Sequence, residues 1–113
     1  MQNKVAEVNL ENGMPTVDAA IQKMKNSLLT FKGLSYKVVI VIHGYGSTGV
    51  GGSIKTAVLK CLAESSMRGI VRTYAGGEQW YGRKRELLST CKPLEDYERR
   101  IAGNEGITVV VLK

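Results

Sequence analysis

KVVIVIHGYGSTGV, residues 37–50, is the stretch that decides how this chain is expected to fold. Its five consecutive apolar residues, 38–42, run directly into His43, the only histidine of the chain, and then into a glycine-rich turn. A β-branched run of this length is typical of a strand that is buried on both faces. His43 therefore follows the carboxyl end of a strand, where open α/β sheets bind their ligands.

The glycine-rich segment predicts an anion site, and in particular a phosphate site. Residues 44–52 contain five glycines, which let backbone N–H groups approach a bound group closely. A predicted helix follows at once, and its amino end adds unpaired N–H donors and a partial positive charge. A flexible connection without a ligand is the alternative interpretation. The predicted contacts are His43, Gly44, Tyr45, Gly46, Ser47, Thr48, Gly49 and, on the helix, Lys55.

Two side chains are candidates for acid–base chemistry. His43 has the residue type whose ordinary pKa, near 6.5, suits a general acid or base, and its imidazolium form could contact a phosphate. The alternative is a structural histidine that orders the loop through hydrogen bonds. Glu11, at the end of the first predicted strand, could serve as a base or metal ligand; the alternative is a solvated acid in a turn.

The composition indicates one cytoplasmic domain with a basic surface. The chain has 113 residues, of which 43% are hydrophobic and 23% are charged, as is usual for soluble globular domains. No apolar run approaches the roughly 20 residues of a membrane span, and the amino terminus lacks a signal-peptide core. Sixteen basic and ten acidic residues give a net charge of +6, which attracts polyanions. Two cysteines and one histidine do not suggest a zinc site.

Hydrophobic periodicity predicts an α/β fold. We expect a two-layer sandwich with a mixed four-stranded sheet, in the order β-α-β-α-β-β, and a helical insertion at 77–102 before the last strand. The predicted strands are 4–10, 36–42, 70–75 and 107–112. The predicted helices are 16–32, a helix capped by Ser53 and closed by Gly69, and a short helix within 93–102.

The start of the insertion combines aromatic and basic side chains. Such interleaving suits stacking on unpaired bases together with neutralisation of the phosphate backbone. The alternative is a segment whose tryptophan packs on the core while its charges stay solvated. The residues concerned are Trp80, Tyr81, Arg83, Lys84 and Arg85.

Three motifs, the first at 8–13, the second at 38–50 and the third at 103–112, resemble the Smr (small MutS-related) domain family. VVIVIHGYGSTGV at 38–50 is similar to the family's strand that ends in H-G-x-G-T-G. GNEGITVVVL at 103–112 resembles the family's G-G-x-G-x-T-V-V, with Asn104 in place of a glycine. VNLENG at 8–13 occupies the place of L-D-L-H-G. The resemblance covers residues 5–112 apart from the insertion, and makes the chain a single Smr-like domain, 1–113.

The resemblance implies binding of DNA or RNA, by structure rather than by sequence, and it opens the question of endonuclease activity. In the first motif the family's acidic residue falls on Asn9, its histidine on Glu11 and its glycine on Asn12. Because nuclease activity in the family is thought to depend on this motif, we expect phosphodiester hydrolysis to be weakened or lost. If the chain does cleave, Mg²⁺ is the expected cofactor. The sequence does not determine the oligomeric state, whether the ligand is DNA or RNA, or the cellular pathway.

The same residues also bear on three other functions. A Walker A loop needs glycine directly before its lysine, and Ile54 precedes Lys55. An α/β-hydrolase needs a G-x-S-x-G elbow and a second histidine, which the sequence lacks. A non-catalytic domain whose basic face binds an acidic protein is the main alternative to a nucleic-acid-binding domain.

Overall fold

Four strands and four α-helices make up the described part of the chain. The computed structural model describes residues 4–11, 16–44 and 50–113, with the backbone alone described at 50–52. The strands are β1 (Val5–Asn9), β2 (Val38–Ile42), β3 (Val71–Gly76) and β4 (Ile107–Leu112). The helices are α1 (Val17–Gly33), α2 (Val50–Leu62), α3 (Trp80–Thr90) and α4 (Glu98–Ile101), with short 3₁₀ helices at Ser65–Met67, Gly77–Gln79 and Lys92–Tyr97.

The strands form one mixed sheet in the order β1-β2-β4-β3. β1 runs parallel to β2, and β4 runs antiparallel to both β2 and β3. The carboxyl ends of β1, β2 and β3 therefore meet the amino end of β4 at one edge. We call this the upper edge of the sheet. The predicted α/β class, the mixed four-stranded sheet and the order of elements are confirmed.

Helices α1 and α2 cover one face of the sheet and form the first core. Every second strand residue points to this face, including Val39 and Val41, and packs with Ala20, Met24 and Ile54 of the helices. The side chain of Thr16 accepts a hydrogen bond from the backbone N–H of Ala19, 3.1 Å away, and so caps the amino end of α1. Cys61 is buried here as a free thiol.

The insertion covers the opposite face and forms the second core. Val38, Ile40, Val109 and Val111 point to this side, where they meet the four fully buried residues Trp80, Leu87, Leu94 and Ile101. The two-layer description accounts for the sheet with α1 and α2, and the insertion adds helices as a further layer. The cover explains why β2 and β4 are apolar at successive positions and not only at alternate ones.

The two ends of the insertion are joined beneath the upper edge. The backbone N–H of Gly103 donates to the carbonyl of Gly77 at 2.9 Å. A side chain at position 77 would collide with the carbonyl oxygens of Ile101 and Asn104, so a glycine is needed for this close approach.

The helix boundaries differ from the prediction in two places. α2 begins at Val50, so Ser53 lies inside the helix and does not cap it, and α2 ends at Leu62, well before Gly69. The predicted short helix within 93–102 is a 3₁₀ helix followed by the single turn of α4. Among the described residues, none of the helices has the length and apolar character needed to cross a membrane.

Candidate functional site

The upper edge of the sheet gathers residues from three of the predicted motifs. Glu11 follows β1, His43 follows β2, and Gly106 precedes β4. The carbonyl oxygen of Gly106 accepts hydrogen bonds from the backbone N–H groups of both His43 and Gly44, each at 3.0 Å. The start of the glycine loop is thereby fixed to the amino end of β4.

His43 is fully buried, and both of its ring nitrogens have hydrogen-bond partners. Nδ1 lies 2.7 Å from the carbonyl oxygen of Gly44, and Nε2 lies 2.8 Å from Oγ1 of Thr108. Because a carbonyl only accepts, the proton is assigned to Nδ1, and the threonine hydroxyl then donates to Nε2 in the neutral ring. This geometry corresponds to the structural alternative: the imidazole orders the turn and leaves neither nitrogen free for a phosphate.

Burial lowers the pKa of His43 below its usual value of 6.5. The hydrogen bond to Gly44 opposes the shift, Lys55 adds to it, and the carboxylates of Glu78 and Glu11 oppose it. The net effect favours the neutral ring near pH 7, so His43 is not the imidazolium that direct phosphate contact would require. Lys55, Glu78 and Glu11 are all close enough to act on the ring electrostatically.

The lowered pKa predicts a loss of stability in mild acid. Between pH 6.5 and the lower folded-state pKa, the unfolded chain binds a proton that the folded chain does not. The free energy of unfolding should therefore fall as the pH drops below about 6.5, by at most about 1.4 kcal/mol per unit. Urea unfolding between about pH 7.5 and pH 5 measures it. His43→Asn should remove this component, and identical pH profiles for the two proteins would contradict it.

Carboxylate titrations are separable from this effect. Arg83 holds the pKa of Glu86 below its usual value, and Lys84 does the same for Glu98. Both acids therefore titrate at lower pH than the window assigned to the single histidine.

Glu11 lies over the first residue of the glycine loop. Gly44 has a φ of +72°, and a side chain there would collide with the Glu11 carboxyl group. The backbone N–H of Glu11 donates to Oδ1 of Asn9 at 2.8 Å, while Lys23 Nζ donates to the Asn9 carbonyl at 2.7 Å. Asn9, which stands where the family has an acid, therefore shapes a turn and offers no ionisable group.

Lys55 is paired with an acid from the insertion. Its Nζ lies 3.3 Å from a carboxylate oxygen of Glu78, and the Lys55 side chain is 18% exposed against 40% for Glu78. The Glu78 carboxyl group also lies over Gly76, at the end of β3. The predicted phosphate contact Lys55 is thus at the upper edge, where it contacts a carboxylate. The other predicted loop contacts, Tyr45, Gly46, Ser47, Thr48 and Gly49, lie outside the described residues.

The aromatic and basic segment of the insertion divides between core and surface. Trp80 is fully buried, and its Nε1 donates to Glu98 at 2.8 Å. The interpretation that Trp80 stacks on a base is therefore wrong, and its ring packs in the core. Lys84 pairs with the same carboxylate at 2.6 Å. Arg83 is held by Glu86, by the Thr73 hydroxyl and by the Tyr74 carbonyl. Tyr81 and Arg85 remain exposed.

Two residues of the upper edge were not predicted as contacts. Thr108 was matched only as part of the third motif, although it is the polar residue of an otherwise apolar strand and, being fully buried, needs a partner. Glu78 gave no signal, because its partner Lys55 is 23 positions away.

The described residues contain no cluster of side chains that would hold a metal ion by themselves. No group of three or more histidine, cysteine, aspartate or glutamate side chains within 4–11, 16–44 and 50–113 could hold a metal ion. Glu11 and Glu78 are the two carboxylates that act on His43.

The architecture is similar to that of a solved domain. No family model matches the chain, and no curated protein matches it. The crystal structure of the Smr domain of Thermus thermophilus MutS2 matches with a TM-score of 0.61, over 96% of this chain and 98% of that chain, at 20% sequence identity. The chain has an Smr-like fold. The upper edge of this Smr-like domain carries described residues of all three motifs on which the resemblance was based: Glu11, His43 and Gly106.

Proposed function

We propose that this Smr-like domain binds nucleic acid, DNA or RNA, at the upper edge of its sheet. The observation that carries the proposal is the double hydrogen bond from His43 and Gly44 to Gly106. It fixes the residue from which the glycine loop departs, beside the helix α2 that follows the loop. A loop held at a fixed point can present its N–H groups in a defined direction, which a slack connection cannot.

Charge supports a polyanionic ligand. The chain carries a net charge of +6. Lys55 lies on the second turn of α2, the helix that follows the glycine loop. Its pairing with Glu78 leaves it partly exposed. A phosphate group could displace Glu78 from Lys55, since the two compete for the same cation. Loop amides would contact the non-bridging oxygens.

We propose binding with endonuclease activity weakened or lost. Asn9 and Glu11 replace the acid and the histidine of the family's first motif, and Asn9 is used to shape its turn. Both ring nitrogens of His43 are engaged in hydrogen bonds, Nδ1 with the Gly44 carbonyl and Nε2 with the Thr108 hydroxyl. To act as an acid or base, the ring would first have to break one of these two hydrogen bonds. Its role in this proposal is to position the loop. The cytoplasmic location and the extent of the domain, 1–113, stay predictions.

Fluorescence anisotropy tests the proposal. Labelled duplex, branched and single-stranded DNA and matching RNAs would be titrated at about 50 and 200 mM salt, a range over which phosphate-driven binding falls steeply. We expect salt-sensitive binding and, on a denaturing gel with and without Mg²⁺, intact substrate. Absence of binding at low salt, or equal binding of an unrelated acidic protein, would contradict it. Cleavage by the wild-type protein that is lost in Glu11→Gln would show that the domain is an active endonuclease.

Lys55→Ala provides a prediction with a matched control. Removing one phosphate contact should weaken binding and reduce the slope of log affinity against log salt by about one. Lys92→Ala makes the same charge change at an exposed site. Lys92 lies just beyond the carboxyl end of α3, whose amino end is at the upper edge, so the length of that helix separates Lys92 from the site. Equal losses in both variants would mean that only overall charge matters.

A further inference from the structure

The outer face of α3 exposes a tyrosine that the fold does not use. Tyr81 is 76% exposed, whereas the neighbouring Trp80 is fully buried in the second core. Within the described part of the chain, Tyr81 has no hydrogen bond and no ring contact. An exposed tyrosine offers a flat apolar ring together with a hydroxyl group, a combination that is enriched where proteins contact partners.

The next residue, Gly82, adds a second feature that folding does not require. It lies inside α3, where glycine is less favourable than alanine. A side chain at this position would meet no atom within 4 Å, so packing in the described structure gives no reason for a glycine. Its absence leaves the surface beside the Tyr81 ring flat and lets another backbone come close.

The third feature is a free cation one helical turn further on. Arg85 is exposed and has no salt bridge to any residue that the structure describes, while Arg83 pairs with Glu86 and Lys84 with Glu98. Residues four apart lie on the same side of a helix, so Tyr81 and Arg85 form one face with Gly82.

This face continues from the upper edge. The amino end of α3, Trp80, lies two residues after Glu78, whose carboxylate contacts Lys55 at 3.3 Å. α2 and α3 cover opposite faces of the sheet and both begin near the upper edge, so a strand of nucleic acid that crosses this edge could contact both Lys55 and Tyr81.

We propose that Tyr81, Gly82 and Arg85 form a contact for an unpaired base and its phosphate. The inference rests on the proposed function and names its substrate class as nucleic acid with single-stranded segments. The tyrosine ring stacks on the exposed face of the base, Gly82 admits the sugar–phosphate backbone, and Arg85 neutralises the phosphate. Bases inside a duplex are already stacked on their neighbours, so they do not offer this face.

Anisotropy with a labelled oligo-dT of about 12 nucleotides and a duplex of equal length tests the contact at about 50 mM salt. Tyr81→Ala should weaken single-strand binding about tenfold and change duplex binding little, because stacking on one base has this magnitude. Tyr81→Phe should keep the wild-type affinity. Leu29→Ala, which removes another exposed apolar side chain (54% exposed) on α1, is the control and should have no effect.

Gly82→Ala separates binding from folding. It should raise the melting temperature by about 4 °C, since alanine favours the helix, and yet weaken single-strand binding several-fold. Unchanged single-strand affinity in both Tyr81→Ala and Gly82→Ala, with Lys55→Ala still weakening binding, would overturn this inference and leave the proposed function intact. Equal losses on single strand and duplex would also overturn it. If the wild-type protein binds neither ligand, the proposed function fails with it.

Discussion

Replacing Trp80 with alanine should lower the free energy of unfolding by about 3–5 kcal/mol, the range for deleting a fully buried aromatic ring. The indole has no solvent exposure, fills the second core between the sheet and the insertion, and donates Nε1 to Glu98. Its removal leaves a cavity that Leu87, Leu94 and Ile101 cannot close without shifting the insertion. Urea unfolding followed by circular dichroism measures the loss, because the variant has no tryptophan fluorescence.

Trp80→Phe is the control for this prediction. Phenylalanine keeps most of the buried ring volume, although it loses the hydrogen bond to Glu98 and leaves a small void, so the destabilisation should be smaller than for alanine. A Trp80→Ala protein as stable as wild type, with single-strand binding reduced, would show that the indole contacts the ligand and does not support the core.

Replacing His43 with alanine should cost about 3 kcal/mol of stability. The ring is fully buried, bridges Gly44 and Thr108, and its loss leaves both the Thr108 hydroxyl and the Gly44 carbonyl without their partner. Thr108→Val should cost about 1–2 kcal/mol, since it leaves Nε2 unpaired but keeps the volume. In the double variant the two losses should not add, with a coupling of about 1 kcal/mol or more.

The alternative for His43 predicts a different outcome. A histidine that contacts the ligand would leave stability nearly unchanged when it is removed and would lower affinity in the fully folded protein. Urea unfolding and anisotropy on the same preparations distinguish the two. Additive losses in the double-variant cycle would mean that the hydrogen bond at 2.8 Å contributes little.

The strands could be predicted from the sequence because the burial of each strand shows in the order of apolar residues along a short segment. The apolar runs at 38–42 and 107–112 form β2 and β4, and alternation predicted β1 and β3 to within a residue or two. Helix α1 followed from its apolar spacing. α3 was not predicted as a helix for two reasons. Gly82 is unfavourable in helices, and only Trp80 and Leu87 are buried, which is too few apolar positions for a clear helical period.

Contacts between residues that are distant in the chain could not be predicted from the sequence. Thr108 meets His43 across 65 positions, and Glu78 meets Lys55 across 23, and no local pattern encodes either pair. The insertion was identified, but its cover of the second sheet face depends on which way Trp80 points. The aromatic and basic residues of 80–85 have the same composition whether they bind a ligand or pack, and only burial separates Trp80 from Tyr81.

Mapping a bound oligonucleotide onto the backbone by NMR tests the central claim most directly. With ¹⁵N-labelled protein and single-stranded DNA at low salt, we expect the largest amide shifts along the upper edge, at Gly44, Lys55, Glu78 and Gly106. Lys37, Lys92 and Lys113, at or near the opposite edge, should stay nearly unchanged. Shifts concentrated around those three lysines would contradict the account and place the nucleic acid at the other end of the sheet.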